Sequence, residues 1–340
     1  ESEFARTVER QLLITLVCQE KIDDDKVVSD YFKLNWDISQ LEFGIEIPVH
    51  HSTDSEGRHI GYEYLHPIQN IAEDFHKLKP SVYRVDKELT LEKKALLEET
   101  FGDILPIRIA NDSLNWSLMP TARSVKLMGM EELYIEMMDE PEQIHRLMRY
   151  HIDDLLALLR WQEENGLLVM NNGNDYAGSG SYGFSDELKA PADGHVSTKH
   201  LWGNMNSQES IGISPQIFRE MIYPYYAELA SQFGLVYYGC CEPVHSFWKD
   251  ALENLPNLRK ISISPWCNEE FMGQALKGKK IIYSRKPDPK FLGVDKNFDE
   301  EGFIRHIKHT LKAAEGCELE IIFRDVYTLN GDIARPARAV

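Results

Sequence analysis

The sequence predicts an α/β fold, a (β/α)8 TIM-type barrel with an N-terminal helical and β-hairpin extension. Three observations lead there. Beyond residue 235, short strand-like segments at 235–239, 258–263, 280–284 and 319–326 alternate with helical stretches at 244–254, 268–277 and 299–315. Strands that each follow a helix imply parallel crossovers. With the weaker candidates added, roughly eight strands are available, the number that closes a barrel. No Gly-x-Gly-x-x-Gly or Walker-type loop follows any strand, which weakens the rival reading of an open, doubly wound sheet.

The elements follow in order. Residues 4–17 carry apolar positions at helical spacing. Leu41-Glu-Phe-Gly-Ile-Glu-Ile-Pro48 alternates as a strand does, Gly61-Tyr-Glu-Tyr-Leu65 mirrors it, and the polar stretch 52–57 reads as the hairpin loop between them. Residues 90–100 are helical. Ile104-Leu-Pro-Ile-Arg-Ile109 is a strand, 128–164 supply helices broken near Pro141, and Leu167-Leu-Val-Met170 is a strand. A Gly/Asn/Ser-rich loop covers 171–183, and 198–203 offer one more strand. Ser214-Pro215 opens a helix to about Phe233, with the cap residue followed by proline in the first turn. No repeat or low-complexity linker interrupts the 340 residues. Residues 1–100 are therefore read as an extension packed on the barrel of 101–340, the two forming one domain.

A net charge of −18 argues against nucleic acid or an anionic membrane as partner, because both need basic patches. No apolar run reaches the ~20 residues of a membrane helix. The opening residues lack a signal-peptide pattern. Cys18, Cys240, Cys241, Cys267 and Cys317 are too irregular for a disulfide framework, so a cytoplasmic, reducing setting is expected.

Chemistry concentrates in Leu235-Val-Tyr-Tyr-Gly-Cys-Cys-Glu-Pro-Val-His245. An apolar strand ends at Gly239, and two thiols, a carboxylate and an imidazole follow at the end where α/β proteins bind ligands. Two thiolates with one His or Glu make a zinc site that keeps a position open. Cys240, Cys241, Glu242 and Cys267 are the candidate ligands, with His245 and His200 as further donors. The other strand ends supply Asn111, Asp112, Asn171, Asn172, Asp175, Asn204, Asn206, Ser264, Arg285, Lys286, Asp325 and Tyr327. Of these, Asp175 and Asp325 are candidate proton donors, Asn171 a substrate contact, and Arg285 and Lys286 a carboxylate clamp. Trp116, Tyr176, Tyr182, Trp202 and Trp266 would line the mouth for a planar substrate or a macrocycle edge. The alternative is that the cysteines pack as small apolar residues.

Gly-Cys-Cys-Glu-Pro-Val-His, the run Leu255-Pro-Asn-Leu-Arg-Lys-Ile-Ser-Ile-Ser-Pro-Trp266, and Ser284-Arg-Lys-Pro-Asp-Pro289 resemble the uroporphyrinogen decarboxylase-like superfamily, in its anaerobic branch. Phe101-Gly-Asp-Ile-Leu-Pro-Ile-Arg108 and the run from Gly129 to Pro141 fit that branch as well, so the resemblance spans nearly the whole chain. It implies a (β/α)8 barrel and two chemistries. The decarboxylases act without metal through an N-terminal arginine-bearing loop, which this chain lacks. The corrinoid-dependent methyltransferases hold zinc through cysteines with His or Glu. Their His-x-Cys is Tyr238-Gly-Cys240 here, so Glu242 or a distant residue must replace the imidazole. The resemblance thus implies a zinc-dependent methyltransferase. It would move a methyl group from a small donor, an aryl methyl ether, to cob(I)alamin on a partner corrinoid protein. Homodimer formation is also implied. The alternatives are a metal-independent decarboxylase of a carboxylated aromatic and a non-catalytic tetrapyrrole or corrinoid binder.

Overall fold

The computed structural model describes residues 2–55, 57 and 59–340. Helix α1 (Glu3–Lys21) begins at Ser2, whose hydroxyl accepts from the Ala5 N–H. Its inner stripe of Phe4, Val8 and Leu12 packs on Phe32, Leu34, Leu97 and Ile107. Strand β1 (Phe32–Asn35) has no counterpart in the sequence reading. Strand β2 (Asp37–Leu41) ends where the strand expected over residues 41–48 was to begin. Instead Glu42–Gly44 form a 3-10 turn, with Phe43 at φ 59° and fully buried. The alternation there reflects apolar groups packing on helices rather than a ladder. The hairpin itself exists, but its strands are β3 (Val49–Thr53) and β4 (His59–Tyr64).

Short helix α2 (Ile71–Asp74) leads to β5 (Val82–Asp86), antiparallel to β2. Helix α3 (Lys87–Phe101) follows, capped by Asp86. Strand β6 (Ile107–Ala110) pairs parallel with β1, in register Phe32 to Ile107. Helices α4 (Pro120–Met128), α5 (Met130–Asp139) and α6 (Pro141–Glu164) bear out the expected helical stretch and its break at Pro141. Arg123 on α4 pairs with Asp154 on α6, and Asp154 also accepts from the Ser81 N–H (2.8 Å) and hydroxyl (2.7 Å). These bonds tie the N-terminal region onto the helices.

Residues 167–170 carry no ladder hydrogen bonds, contrary to the strand expected there. Side-chain amides do the stitching. Asn111 Nδ2 donates to the Leu167 carbonyl (2.9 Å), and Asn171 brackets Trp202, accepting from its N–H (2.8 Å) and donating to its carbonyl (3.1 Å). A small hairpin, β7 (Tyr176–Gly178) and β8 (Ser181–Tyr182), then precedes β9 (Trp202–Met205). Ser214 caps α7 (Pro215–Ile217) as expected; one π turn at Phe218–Ile222 connects it to α8 (Tyr223–Ala230). Pro224 has no N–H to continue a regular ladder there.

Strands β10 (Leu235–Tyr238) and β11 (Leu258–Ile263) match the sequence reading closely. The helix expected over 244–254 is instead two 3-10 turns, because Ala251 at φ −149°, ψ −68° interrupts it. The helical spacing of Val244, Phe247, Trp248, Ala251 and Leu252 survives, since all five are buried. Helix α9 (Glu269–Leu276), strand β12 (Ile282–Arg285), helix α10 (Glu300–Ala313), strand β13 (Leu319–Ile321) and the short α11 (Arg335–Ala339) complete the chain.

The result is a mixed α/β protein whose main sheet is parallel, in the order β13-β12-β11-β10-β9. Strand order follows chain order without reversal, unlike a doubly wound sheet, whose order reverses at a switch point. One face packs under the helices through Val236, Tyr238, Ile261, Ile263 and Tyr283. Among the described residues, no helix is long and apolar enough to cross a membrane.

Candidate functional site

Successive side chains on a strand point to opposite faces, and that alternation sorts the candidates. Trp202, Tyr237, Lys260, Ser262, Ser284 and Lys286 share the face away from the large apolar core. Lys286 Nζ donates to Ser262 Oγ and to Tyr237 OH (3.1 Å), and Tyr237 OH meets Ser284 Oγ at 2.8 Å. Arg285, one residue earlier, points the other way. Its guanidinium pairs with Glu269 of α9 (2.6 Å) and donates to the carbonyls of Ile263 (3.1 Å) and Ser264 (2.7 Å) and to Thr310 Oγ1 (3.2 Å). Arg285 therefore holds helices to the sheet, and the expected Arg285–Lys286 clamp is divided between two faces.

The hairpin β7–β8 lies across the Lys286 face. Ser181 Oγ donates to Glu320 (2.8 Å) and accepts from Lys260 Nζ (2.7 Å), and Lys260 also donates to the Tyr182 carbonyl (2.7 Å). Trp202 Nε1 donates to the Gly183 carbonyl (2.8 Å). Gly178, at φ 130°, lies so close to Asn204 that a Cβ there would sit 2.2 Å from its Cγ. The hairpin thus reaches from β9 to β13. Trp202 is buried in this layer with Ala177, Leu188, Leu235 and Tyr237, and it faces no open mouth.

The cysteines stand at the end of β10. Gly239 takes φ 98°, a left-handed conformation that breaks the strand alternation. Cys240 and Cys241 therefore do not point to opposite faces; their sulfurs lie 3.7 Å apart, and the Cys241 thiol donates to Asp325 Oδ2 at 3.6 Å. Asp325 (φ 59°) and Ser179 (φ 49°), two of the six non-glycine residues with positive φ among the described residues, flank the pair. Such backbone outliers cluster at functional sites. The hydrogen bond from Cys241 pulls the Cys240 thiol down to about 6, against the opposing cost of burial; Ser179, Lys286 and Arg324 add to the lowering. Cys241 is pushed up by the same hydrogen bond, by burial, and by the charges on Cys240 and Asp325.

Two predictions arise here. Alkylation of Cys240, followed by peptide mass spectrometry on metal-free protein, should rise with pH around a midpoint of about 6 as thiolate forms; a midpoint near the ordinary ~8.5 would show an unactivated thiol. Gly239→Ala forces a side chain into the left-handed region, with its Cβ 3.0 Å from Ser262 Cβ. It should cost about 1–3 kcal/mol in chemical denaturation, and a loss below ~0.5 kcal/mol would show that the turn is not required.

Glu242 does not join the thiols. It is buried, and its two oxygens accept the N–H groups of Ser207 (2.9 Å) and Cys240 (2.8 Å), joining the ends of β9 and β10. Burial raises its pKa to about 7. Cys267 is likewise buried, against Ser264 Oγ (3.6 Å) and the Glu242 carbonyl (3.8 Å), and burial pushes its thiol up. His245 accepts from the Asn268 N–H (3.3 Å), and His200 bonds Ser197 in a capping box. Asp175 is paired with Lys33 at 2.5 Å, Asn171 is spent on Trp202, and Trp266 is exposed.

Tyr176 does belong near the thiols, through Arg324. Arg324 lies 3.5 Å from Tyr176 OH and 5.5 Å from the centroid of Trp116, and its charge acts on Cys240. The sequence reading missed Arg324 and Ser179. Period-two alternation through Glu320, Ile322 and Arg324 carried the signal for the arginine; nothing in the sequence marked Ser179.

Two sulfurs on one tetrahedral zinc, each at about 2.3 Å, stand about 3.8 Å apart, so the observed 3.7 Å between Cys240 and Cys241 fits two coordination positions. Asp325 is a carboxylate in contact with the pair, through the Cys241 thiol (3.6 Å). Among the described residues, no three His, Cys, Asp or Glu side chains form a ready ligand set. The thiol pair fits the metal; Glu242 and Cys267 as placed do not. No protein-family model matches the chain, and no curated protein does.

Proposed function

We propose that the protein is a zinc-dependent methyltransferase on a (β/α)8 barrel. It takes a methyl group from a small donor, an aryl methyl ether, and passes it to cob(I)alamin carried by a partner corrinoid protein. The observation that carries this reading is the 3.7 Å pairing of Cys240 and Cys241 at the end of a parallel strand. For the architecture, support comes from the sequential strand order and from the Asn111 and Asn171 side chains. These link the β1–β6 pair, residues 167–170 and the main sheet into eight successive segments.

The residues divide the work. Cys240 and Cys241 would hold the ion, with Asp325 beside them. A zinc ion held there would supply Lewis acidity toward the ether oxygen, so that the aryl oxide would leave more readily. Trp116 and Tyr176, with centroids 6.2 Å apart, offer aromatic surface to a planar donor, and Arg324 next to them favours the negative charge that grows on its oxygen. Lys286, bonded to Ser262 and Tyr237, acts on Cys240 in the same sense as Arg324. Glu242 sets the position of Cys240 through its backbone bond and takes no proton from substrate.

Protein purified without chelator should carry close to one zinc per chain and transfer methyl from aryl methyl ethers to cob(I)alamin. Absence of both, with zinc and a donor panel supplied, removes the reading. Lys286 and Arg324, whose charges both act on Cys240, favour a second reading, a metal-independent decarboxylase of a carboxylated aromatic, with Asp325 as the proton donor. Carbon dioxide release unchanged by chelator would decide for it.

A further inference from the structure

Helix α1 is apolar on two sides. Phe4, Val8 and Leu12 face the protein, while Leu13, Ile14, Leu16 and Val17 on the outer side are 51, 49, 58 and 53 % exposed. A solvent-facing helix surface is normally polar, and a contiguous apolar stripe marks a contact. At about 100° per residue, Leu13 and Val17 occupy the centre of this stripe and Ile14 and Leu16 its flanks. Arg10 and Glu20 continue the same line at the two ends, in steps of three and four residues.

We propose that this face pairs with the same face of a second copy of the chain, antiparallel, about a two-fold axis level with Thr15. In that arrangement residues equidistant from Thr15 meet. Leu13 packs on Val17 of the other copy, and Arg10 meets Glu20 of the other copy; each contact occurs twice, as an isologous interface requires. A parallel pair would set Arg10 against Arg10 and Glu20 against Glu20, so charge selects the antiparallel form. The choice of partner rests on the same complementarity. A stripe with a cation at one end and an anion at the other does not match an anionic membrane, whereas it matches its own reverse.

Two bodies of net charge −18 repel one another, which makes an apolar contact with internally matched charges the economical solution. The helix is about 28 Å long, and its contact is smaller than a standard interface, so a concentration-dependent dimer is expected. This inference stands apart from the methyl-transfer reading.

Sedimentation velocity on the full chain, from about 1 to 200 µM at low salt, tests it. The expected result is a monomer–dimer equilibrium that Leu13→Glu with Val17→Glu abolishes. Arg10→Glu should weaken the dimer about 10-fold or more, and the double exchange Arg10→Glu with Glu20→Arg should bring it back to within about 3-fold of the parent. These side chains lie on the outer face, and unchanged circular dichroism confirms that each variant folds. A monomer at every concentration overturns the proposal. So does a dimer indifferent to the two glutamates, or a double exchange as weak as the single one.

Discussion

Cys240→Ser is expected to remove bound zinc and to lower methyl transfer by at least about 10³-fold, equivalent to the several kcal/mol a Lewis acid contributes. The protein should stay folded, because serine keeps the size and the backbone N–H that Glu242 accepts (2.8 Å). Cys241→Ser should behave alike, since its sulfur is the other half of the 3.7 Å pair. Cys267→Ser, whose thiol packs under the Glu242 carbonyl, should keep both metal and activity. Metal content by mass spectrometry and single-turnover transfer to cob(I)alamin are the readouts. Full activity in Cys240→Ser would remove the thiols from the chemistry, and loss of metal in Cys267→Ser would redraw the ligand set.

Arg285→Ala should destabilise the fold by about 3–5 kcal/mol, the cost of removing one partner of a buried pair and leaving the other charge behind. Glu269 would lose its 2.6 Å cation and keep the Thr310 hydroxyl, the Ile263 and Ser264 carbonyls at the end of β11 would lose their guanidinium donor, and a buried carboxylate without its countercharge would remain between α9, α10 and the sheet. Urea denaturation measures this directly. Lys286→Met separates the structural role from the site: it removes a charge beside Cys240 and should raise the midpoint of Cys240 alkylation. A stable Arg285→Ala with impaired substrate binding would return this arginine to the site.

The alternating rhythm was legible in the sequence because β10, β11 and β12 are short segments with apolar residues on at least one face, separated by stretches at helical spacing. Each is buried on both faces, the signature of parallel strands. Residues 41–48 and 244–254 misled for one reason. Apolar spacing reports which side chains are buried, and Phe43 and Trp248 are buried whether or not a regular element carries them. Strand β1 escaped because Phe32–Asn35 offers only two apolar residues and takes its place through pairing with β6, 75 residues away in register.

In the site, sequence could bring Cys240 and Cys241 to one strand end, but it could not say that Gly239 would turn both sulfurs to the same side. Nor could a list of strand-end residues tell Lys286 from Arg285, although alternation along β12 required them to part. Glu242 and Asn171 are polar groups whose capacity is consumed by backbone, and no local pattern distinguishes that role from catalysis.

The β7–β8 hairpin belongs to both shape and scaffold. It occupies the layer over Lys260 and Tyr237 as a plug cut from the chain's own loop, seated through Gly178 against Asn204 and Gly180 against Ile322. Exchanging side chains on that plug changes what lies over Lys260 and Tyr237, while the backbone rungs of the parallel ladder run between groups the plug does not share. Trimming it, by contrast, would strip Lys260 of Ser181 and the Tyr182 carbonyl and take Ser179 from beside Cys240, so the plug is also part of the frame that holds the thiols.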